Sequence, residues 1–357
     1  MAGAGGNGGV IFGYMVDRNL HSGNIEVTLD ENNKISVMDC VNEYNDDIDL
    51  NGRVVTMSLQ FGHLVVATTH QVQIYDTQNW ASPFVIDVKE PISLIVQGAK
   101  YMVLIDAANN LNVYNYEGRH ISSPKFQGLR VEFLNKNSIS VSSDVIGLID
   151  TSNTKIIRIF EVSNGSPTNI NIENSNEILA MALNQTEIAK ERKLCFIDFN
   201  RDMFLTMVNK PEIIKISSMV DSFQWNDNND MLSAVADGKL HCWFYPNAIY
   251  VDRDLMEHSR HSQDATSLGK LAQITNFSGN FVNVTKLDGS NATMSVLPFA
   301  RILYEHVEQA DFEKAIRLCR FVNEKTLWGC LAAMSLYCRE LETAEIALAA
   351  LNEVDKV

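Results

Sequence analysis

Long apolar runs are missing from this chain. No stretch reaches 18 apolar residues, so no segment reads as a membrane-spanning helix. The first residues lack the Lys/Arg cluster, apolar stretch and small-residue cleavage site of a secretory signal. Ala2 rather than Gly follows Met1, which removes the N-myristoylation signal. Positive charge is scarce: 29 Lys and Arg stand against 44 Asp and Glu, a formal charge of −15. That balance argues against a protein that grips nucleic-acid backbones or polybasically coats a membrane. The six cysteines (Cys40, Cys195, Cys242, Cys319, Cys330, Cys338) have no paired-loop spacing and sit within strand or helix patterns. They read as reduced thiols of a cytosolic protein.

Catalytic signatures are absent as well: the sequence has no nucleophile elbow, H-E-x-x-H, Walker loop or Cys-x-x-Cys. Gly3, Gly5 and Gly8 spell a literal G-x-G-x-x-G, but a phosphate-binding turn needs a preceding strand and a following helix. Residues 1–9 are therefore expected to be a disordered Gly-rich tail. Asp47, Asp49, Asn51 and Gly52 match half of a calcium loop, yet position 12 is Ser58 where a bidentate Glu is required. An inter-blade turn is the better reading. His258 and His261, with Asp254 and Asp264 nearby, could ligate a metal; the polar, aperiodic MEHSRHSQDATS around them reads as a solvated loop. No cofactor, metal or catalytic residue is assigned.

What the chain does contain is a repeat. VQIYDT, LNVYNYEG, KIIRIFEV, MFLTMV and KLHCWFYPN are read as the last strand of successive units. Their marker residues Tyr75, Tyr114, Phe160, Leu205 and Trp243 lie 39, 46, 45 and 38 residues apart. A period of about 40–45 residues with four strands per unit is that of a β-propeller blade. The period divides the chain at 10–52, 53–90, 91–128, 129–175, 176–218, 219–256 and 257–298. Consensus Trp-Asp pairs are almost absent, so a WD40-like propeller of six or seven degenerate blades is expected over 53–298. Segment 10–52 either closes a preceding propeller or opens this one.

From Phe299 the pattern turns helical. Phe312, Ala315, Ile316 and Cys319 share one helical face; so do Leu327, Leu331, Met334 and Cys338, then Ala344, Ala347, Leu348 and Leu351. Asp311 is placed to cap a helix. Phe312 and Ala315 recur 29 residues later as Leu341 and Ala344, close to the tetratricopeptide (TPR) spacing. Residues 299–357 are thus read as the beginning of a TPR-like solenoid, separable from the propeller and expected to continue past Val357. Arg317, Arg320 and Trp328 are candidate partner-binding residues, since Arg and Trp favour binding hot spots. The competing reading is that Trp328 packs between helices and the arginines are solvated.

Four strings give these elements a family likeness. YEGRHISSPKFQG (116–128), YPNAIYVDRDL (245–255), RLCRFVNEKTLWGCLAAM (317–334) and TAEIALAALNEVDKV (343–357) closely resemble the eighty-kilodalton WD-repeat subunits of intraflagellar transport complex B. HLVVATT (63–69) and Asn79-Trp80 with Pro83 are similar too. The resemblance implies a non-enzymatic scaffold built from two propellers and a helical solenoid, of which this chain holds the second propeller and the first helices. It further implies neighbours in the peripheral subcomplex, indirect linkage to kinesin-2 and dynein-2 trains, and residence in the ciliary axoneme, basal body and cytoplasm. It admits a homodimer through solenoid helices beyond Val357. Neither nucleic-acid binding nor direct membrane insertion is implied. The competing readings are a coatomer-like vesicle-coat subunit and, from another class, a propeller hydrolase.

Overall fold

In the computed structural model, strands fill most of the chain up to Ser295 and helices follow from Phe299. The structure describes residues 2–4, 10–12, 18–50, 52–126 and 128–356. Seven successive antiparallel sheets, six of four strands and one of three, form a seven-bladed β-propeller with C-terminal helices. They span 19–49, 54–87, 92–122, 139–173, 178–217, 220–264 and 273–295. Met1 and residues 5–9 of the expected tail lie outside the described residues, as do Gly5 and Gly8 of its glycine motif. Ala2–Ala4 pairs with Val10–Phe12.

Each blade runs strand by strand in chain order. The strands read as closing each unit, such as Gln71–Asp76 and Lys239–Trp243, are instead third strands. A fourth, solvent-facing strand follows each, and its polarity explains why apolar periodicity passes over it. Asn79–Asp87, for example, keeps only Trp80, Pro83 and Ile86 half covered among exposed neighbours.

The chain divides into two compact units. The first holds residues 1–146 and 159–168. Val27, Ile35, Val37, Met57, Leu64 and Tyr75 share one core there, so the 19–49 blade packs directly on the 54–87 blade. The second unit holds 147–158 and 169–357 and, among the described residues, contains every helix of four or more residues.

Within the second unit the sixth blade carries a feature that the sequence pattern conceals. Between its third and fourth strands lie two short helices, α1 (Ala248–Val251) and α2 (Arg253–His258). Asp252 caps α2 by accepting from the Asp254 N–H at 3.0 Å. The segment expected as a solvated loop therefore ends a helix, and its Met256 and Ser259 are buried. Single-turn helices are too short to show a 3.6-residue period. His261 and Asp264 then belong to the fourth strand, Arg260–Asp264.

Four further helices follow: α3 (Phe299–Glu308), α4 (Phe312–Val322), α5 (Lys325–Cys338) and α6 (Leu341–Leu351). Asp311 accepts from the Lys314 N–H at 3.1 Å, the expected N-cap of α4. Asn323, Arg339 and Asn352 end α4, α5 and α6 in the left-handed conformation. α5 is buried on every side from Thr326 to Ser335, because α1 and α2 cover one flank while α3, α4 and α6 cover others. Blade-six Phe244 and Leu255, blade-seven Phe277 and helical Leu303, Leu327 and Leu331 share one continuous core. The helices thus share one core with blades six and seven.

Candidate docking surface at the propeller–helix junction

Polar contacts fasten the helices to blades five and six. The Tyr304 hydroxyl of α3 shares its proton between the carbonyl oxygens of Phe244 at 2.8 Å and Asp230 at 3.0 Å, and burial pushes this hydroxyl far above its usual range. At the far end of α5, the Tyr337 hydroxyl donates to Glu191. Glu191 also accepts from Asn247 Nδ2 at 3.2 Å. Beyond α6, Glu353 meets His258 Nε2 at 3.0 Å. Lys356 bonds Asp252 and, at 2.8 Å, Asp254. Burial works to raise the Asp252 carboxyl, but the Lys356 ammonium and the Asp254 N–H outweigh it and hold the group below its ordinary value.

Beneath this surface lies a buried polar cluster from blades five and six. Lys193 Nζ and Asp230 Oδ2 are 2.7 Å apart with almost no exposure. Asn184 Nδ2 donates to the other Asp230 oxygen at 2.9 Å. The buried Arg192 donates to the Asn184 and Thr186 carbonyls. A buried pair of this kind persists because its remaining donors and acceptors are also satisfied. Each of its side chains faces protein groups, which gives the cluster a tethering role between the 184–193 loop and blade six.

The candidate residues separate in three dimensions. Arg317 is 74% exposed and pairs with Glu313 at 3.2 Å along α4; Arg320 is also exposed, and Phe321 beside it is 84% exposed. Trp328 is 6% exposed and belongs to the shared core. The structure thus leaves the two arginines on a free helix face and uses the tryptophan for packing. The four candidate metal ligands are likewise drawn apart. His258 turns to Glu353, Asp254 to Lys356 and Asp264 to the Thr266 hydroxyl, while His261 stacks on Phe244. Asp47 and Asp49 lie on the exposed strand Tyr44–Asp49, with Lys34 Nζ 3.0 Å from Asp47; Asn51 is outside the described residues.

A shallow cavity of about 700 Å³ lies in the first unit, lined by Ser93, Ile105, Asn109, Glu132, Asn135 and Lys136 among others. The Ser93 hydroxyl donates to the Ile105 carbonyl at 3.1 Å. The buried thiols of Cys195, Cys242 and Cys330 are pushed up by burial, and that of Cys319 to about 12. These thiols stay protonated and act as packing groups. Sequence reading missed the fastening residues Glu191, Tyr304, Tyr337, Glu353 and Lys356. Their partners lie up to 146 residues away, and the one local signal was Asp252 at the start of α2.

Comparison with known proteins places this architecture. Residues 17–299 match the model of the second β-propeller of intraflagellar transport protein 80, and 327–357 match the TPR domain shared by IFT80, IFT172, WDR35 and WDR19. The intraflagellar transport protein 80 homologues of Rattus norvegicus and Mus musculus are each 40% identical over the whole chain. The chain belongs to the intraflagellar transport protein 80 family. It spans 47% of the length of those two relatives. A solved structure of Kluyveromyces lactis Hsv2p covers 77% of this chain and 90% of its own, with a TM-score of 0.50 at 8% identity, a likeness of fold alone. The family's propeller and TPR parts thus meet here at the α1–α2 insertion and α5.

Proposed function

We propose that the chain is a non-enzymatic scaffold segment of an intraflagellar transport B subunit, holding neighbouring subunits of the peripheral subcomplex in the trains that build and maintain cilia. Family membership supports the transport role. The observation that carries the scaffold reading is the single core joining blades six and seven to α3–α6. A load-transmitting adaptor needs its docking faces held at a fixed angle, and a shared core with polar fastenings does this without a flexible linker. The exposed face of α4, with Arg317, Arg320 and Phe321, is the proposed contact for a neighbouring subunit, where arginine and an aromatic side chain suit a hot spot. Linkage to kinesin-2 and dynein-2 follows indirectly through the assembled train, and the site of action is the ciliary axoneme and basal body.

The test is reconstitution of the full-length protein with the other peripheral subunits. Arg317→Glu with Arg320→Glu should weaken co-elution about tenfold or more, as loss of a hot spot does, while leaving the melting temperature unchanged. Unaltered co-elution removes α4 from the contact. Failure of the unaltered protein to enter the complex, or to reach cilia in cells, refutes the transport reading itself.

A further inference from the structure

Directly after α6 the chain folds back on blade six. Leu348 and Leu351 of α6 belong to the shared core, so the helix itself is anchored. Asn352 then takes the left-handed conformation, with φ of 64° and an exposed side chain. A single 3₁₀ turn, Val354–Lys356, follows. Backbone hydrogen bonds of this segment stay local: the Glu353 N–H donates to Leu348 O and the Lys356 N–H to Glu353 O, each at 3.1 Å. Side chains are what reach α2, across 95 to 104 residues of sequence.

Those side chains carry an uneven balance of charge. α2 and its cap hold Asp252, Asp254 and Glu257, and the segment adds Glu353 and Asp355. Glu257 is taken by Arg260, 2.6 Å away. Lys356 Nζ lies between Asp252 Oδ2 and Asp254 Oδ2, the latter at 2.8 Å. Among the described residues it is the one lysine or arginine paired with either carboxylate. The other Asp252 oxygen accepts from the Asp254 N–H, so the lysine and the α2 cap share one carboxylate. The two carboxylates, Asp252 foremost, hold the ammonium above its ordinary range. His258 meets Glu353 at 3.0 Å and adds a charge only when its ring is protonated.

These contacts are open to water. Side-chain exposure is 25% for Lys356, 29% for Asp252, 74% for Asp254 and 32% for both His258 and Glu353. Exposed ion pairs are weak and yield to salt, whereas α5 is buried from Thr326 to Ser335. Lifting the segment therefore costs far less than lifting α5 or α6, which puts it at the low-stability end of the unit.

We propose that residues 353–356 form an electrostatic strap, held closed on α2 by the Lys356 ammonium and released about Asn352 when that charge is removed or screened. Closed, the strap fixes the direction in which the chain leaves α6 relative to blade six. Open, it leaves α6 docked and the residues after Asn352 free to swing. One cation stands against Asp252 and Asp254 in a segment that itself carries Glu353 and Asp355. Loss of the Lys356 charge thus leaves like charges opposed, and the contact turns repulsive instead of merely weaker. The strap uses this chain's own residues, and it holds or fails independently of the transport role.

Amide hydrogen exchange on the full-length protein, free in solution, tests this. Raising salt from about 0.1 M to about 1 M shortens the Debye length from ~10 Å to ~3 Å. Exchange at Glu353 and Lys356, relative to an unstructured peptide in the same buffer, should then speed up about threefold or more, while the Leu348 and Leu351 amides keep their rates. Lys356→Gln should exchange at low salt as the parent does at high salt, and Lys356→Arg should match the parent, with melting temperatures unchanged. Lys356→Glu should open the strap further. Adding Asp254→Lys to it restores a pair of opposite sign and must slow exchange again, a rescue that a packing role would not produce. Equal low-salt rates in the parent and Lys356→Gln overturn the proposal: both slow means that something other than charge holds the segment, and both fast means that it is never closed. A double variant no slower than Lys356→Glu overturns it as well. Co-elution with the other subunits reads the transport role separately.

Discussion

Gly329 of α5 lies against the backbone of His258 at the end of α2, where a Cβ would fall 2.6 Å from the His258 carbonyl oxygen. Real Cβ atoms do not approach backbone oxygen so closely, and neither helix can yield without disturbing the core they share. Gly329→Ala is expected to push α5 off blade six and cost about 1–3 kcal/mol, the usual range for overpacking. Chemical denaturation of the variant measures this; a midpoint equal to the parent's would show that the two helices are free to separate.

Trp328 and the α4 arginines should give opposite results. Trp328→Ala removes a large side chain from a closed core and should destabilise by about 3–5 kcal/mol. Arg317→Glu should stay within about 0.5 kcal/mol, since its pairing with Glu313 is exposed. Thermal melts of the two single variants separate packing from surface roles directly.

Removing residues 299–357 should unfold more than a helical appendage. The deletion uncovers Phe244, Leu255 and Phe277, which share their core with Leu303 and Leu327. Blades six and seven are expected to lose protection from hydrogen exchange and to bind a hydrophobic dye. A truncated chain whose blade-six amides exchange as slowly as before would contradict the single core.

How legible this was depended on where apolar periodicity lies. Tyr75, Tyr114, Phe160, Leu205 and Trp243 all sit on third strands, sandwiched between neighbours and apolar enough to keep time along the sequence. Their outer partners are exposed, so their residues carry no such rhythm and the last-strand assignment fell one strand short. The α4 cap was visible because Asp311 acts within its own turn. The junction was not, because its bonds join residues such as Glu191 and Tyr337 that no local pattern relates. Arg320 and Trp328 are eight positions apart, yet the left-handed turn at Asn323 sends them to opposite environments. That blade seven has three strands among the described residues was hidden for a different reason: a strand's pairing partner is not written in its own residues.

Asp227 offers a pH-dependent measurement. It follows the first strand of blade six, and its N–H donates to the Phe277 carbonyl at 3.0 Å. Burial pushes its carboxyl up to about 7, a hydrogen bond with Ser278 opposing the rise only in part. An unfolded aspartate titrates near 3.9, so between about pH 4 and 7 the folded chain holds the extra proton. Stability from this group therefore falls as pH rises through that window and levels off above it. Asp227→Asn abolishes the titration and should stabilise the protein by on the order of 1–3 kcal/mol at pH 8, allowing for partial access of water to the carboxyl, with little effect at pH 4. Urea midpoints of parent and variant at pH 4.5, 6 and 8 would show the two curves diverging toward alkaline pH. Parallel curves would mean that Asp227 ionises in the folded protein as readily as in water.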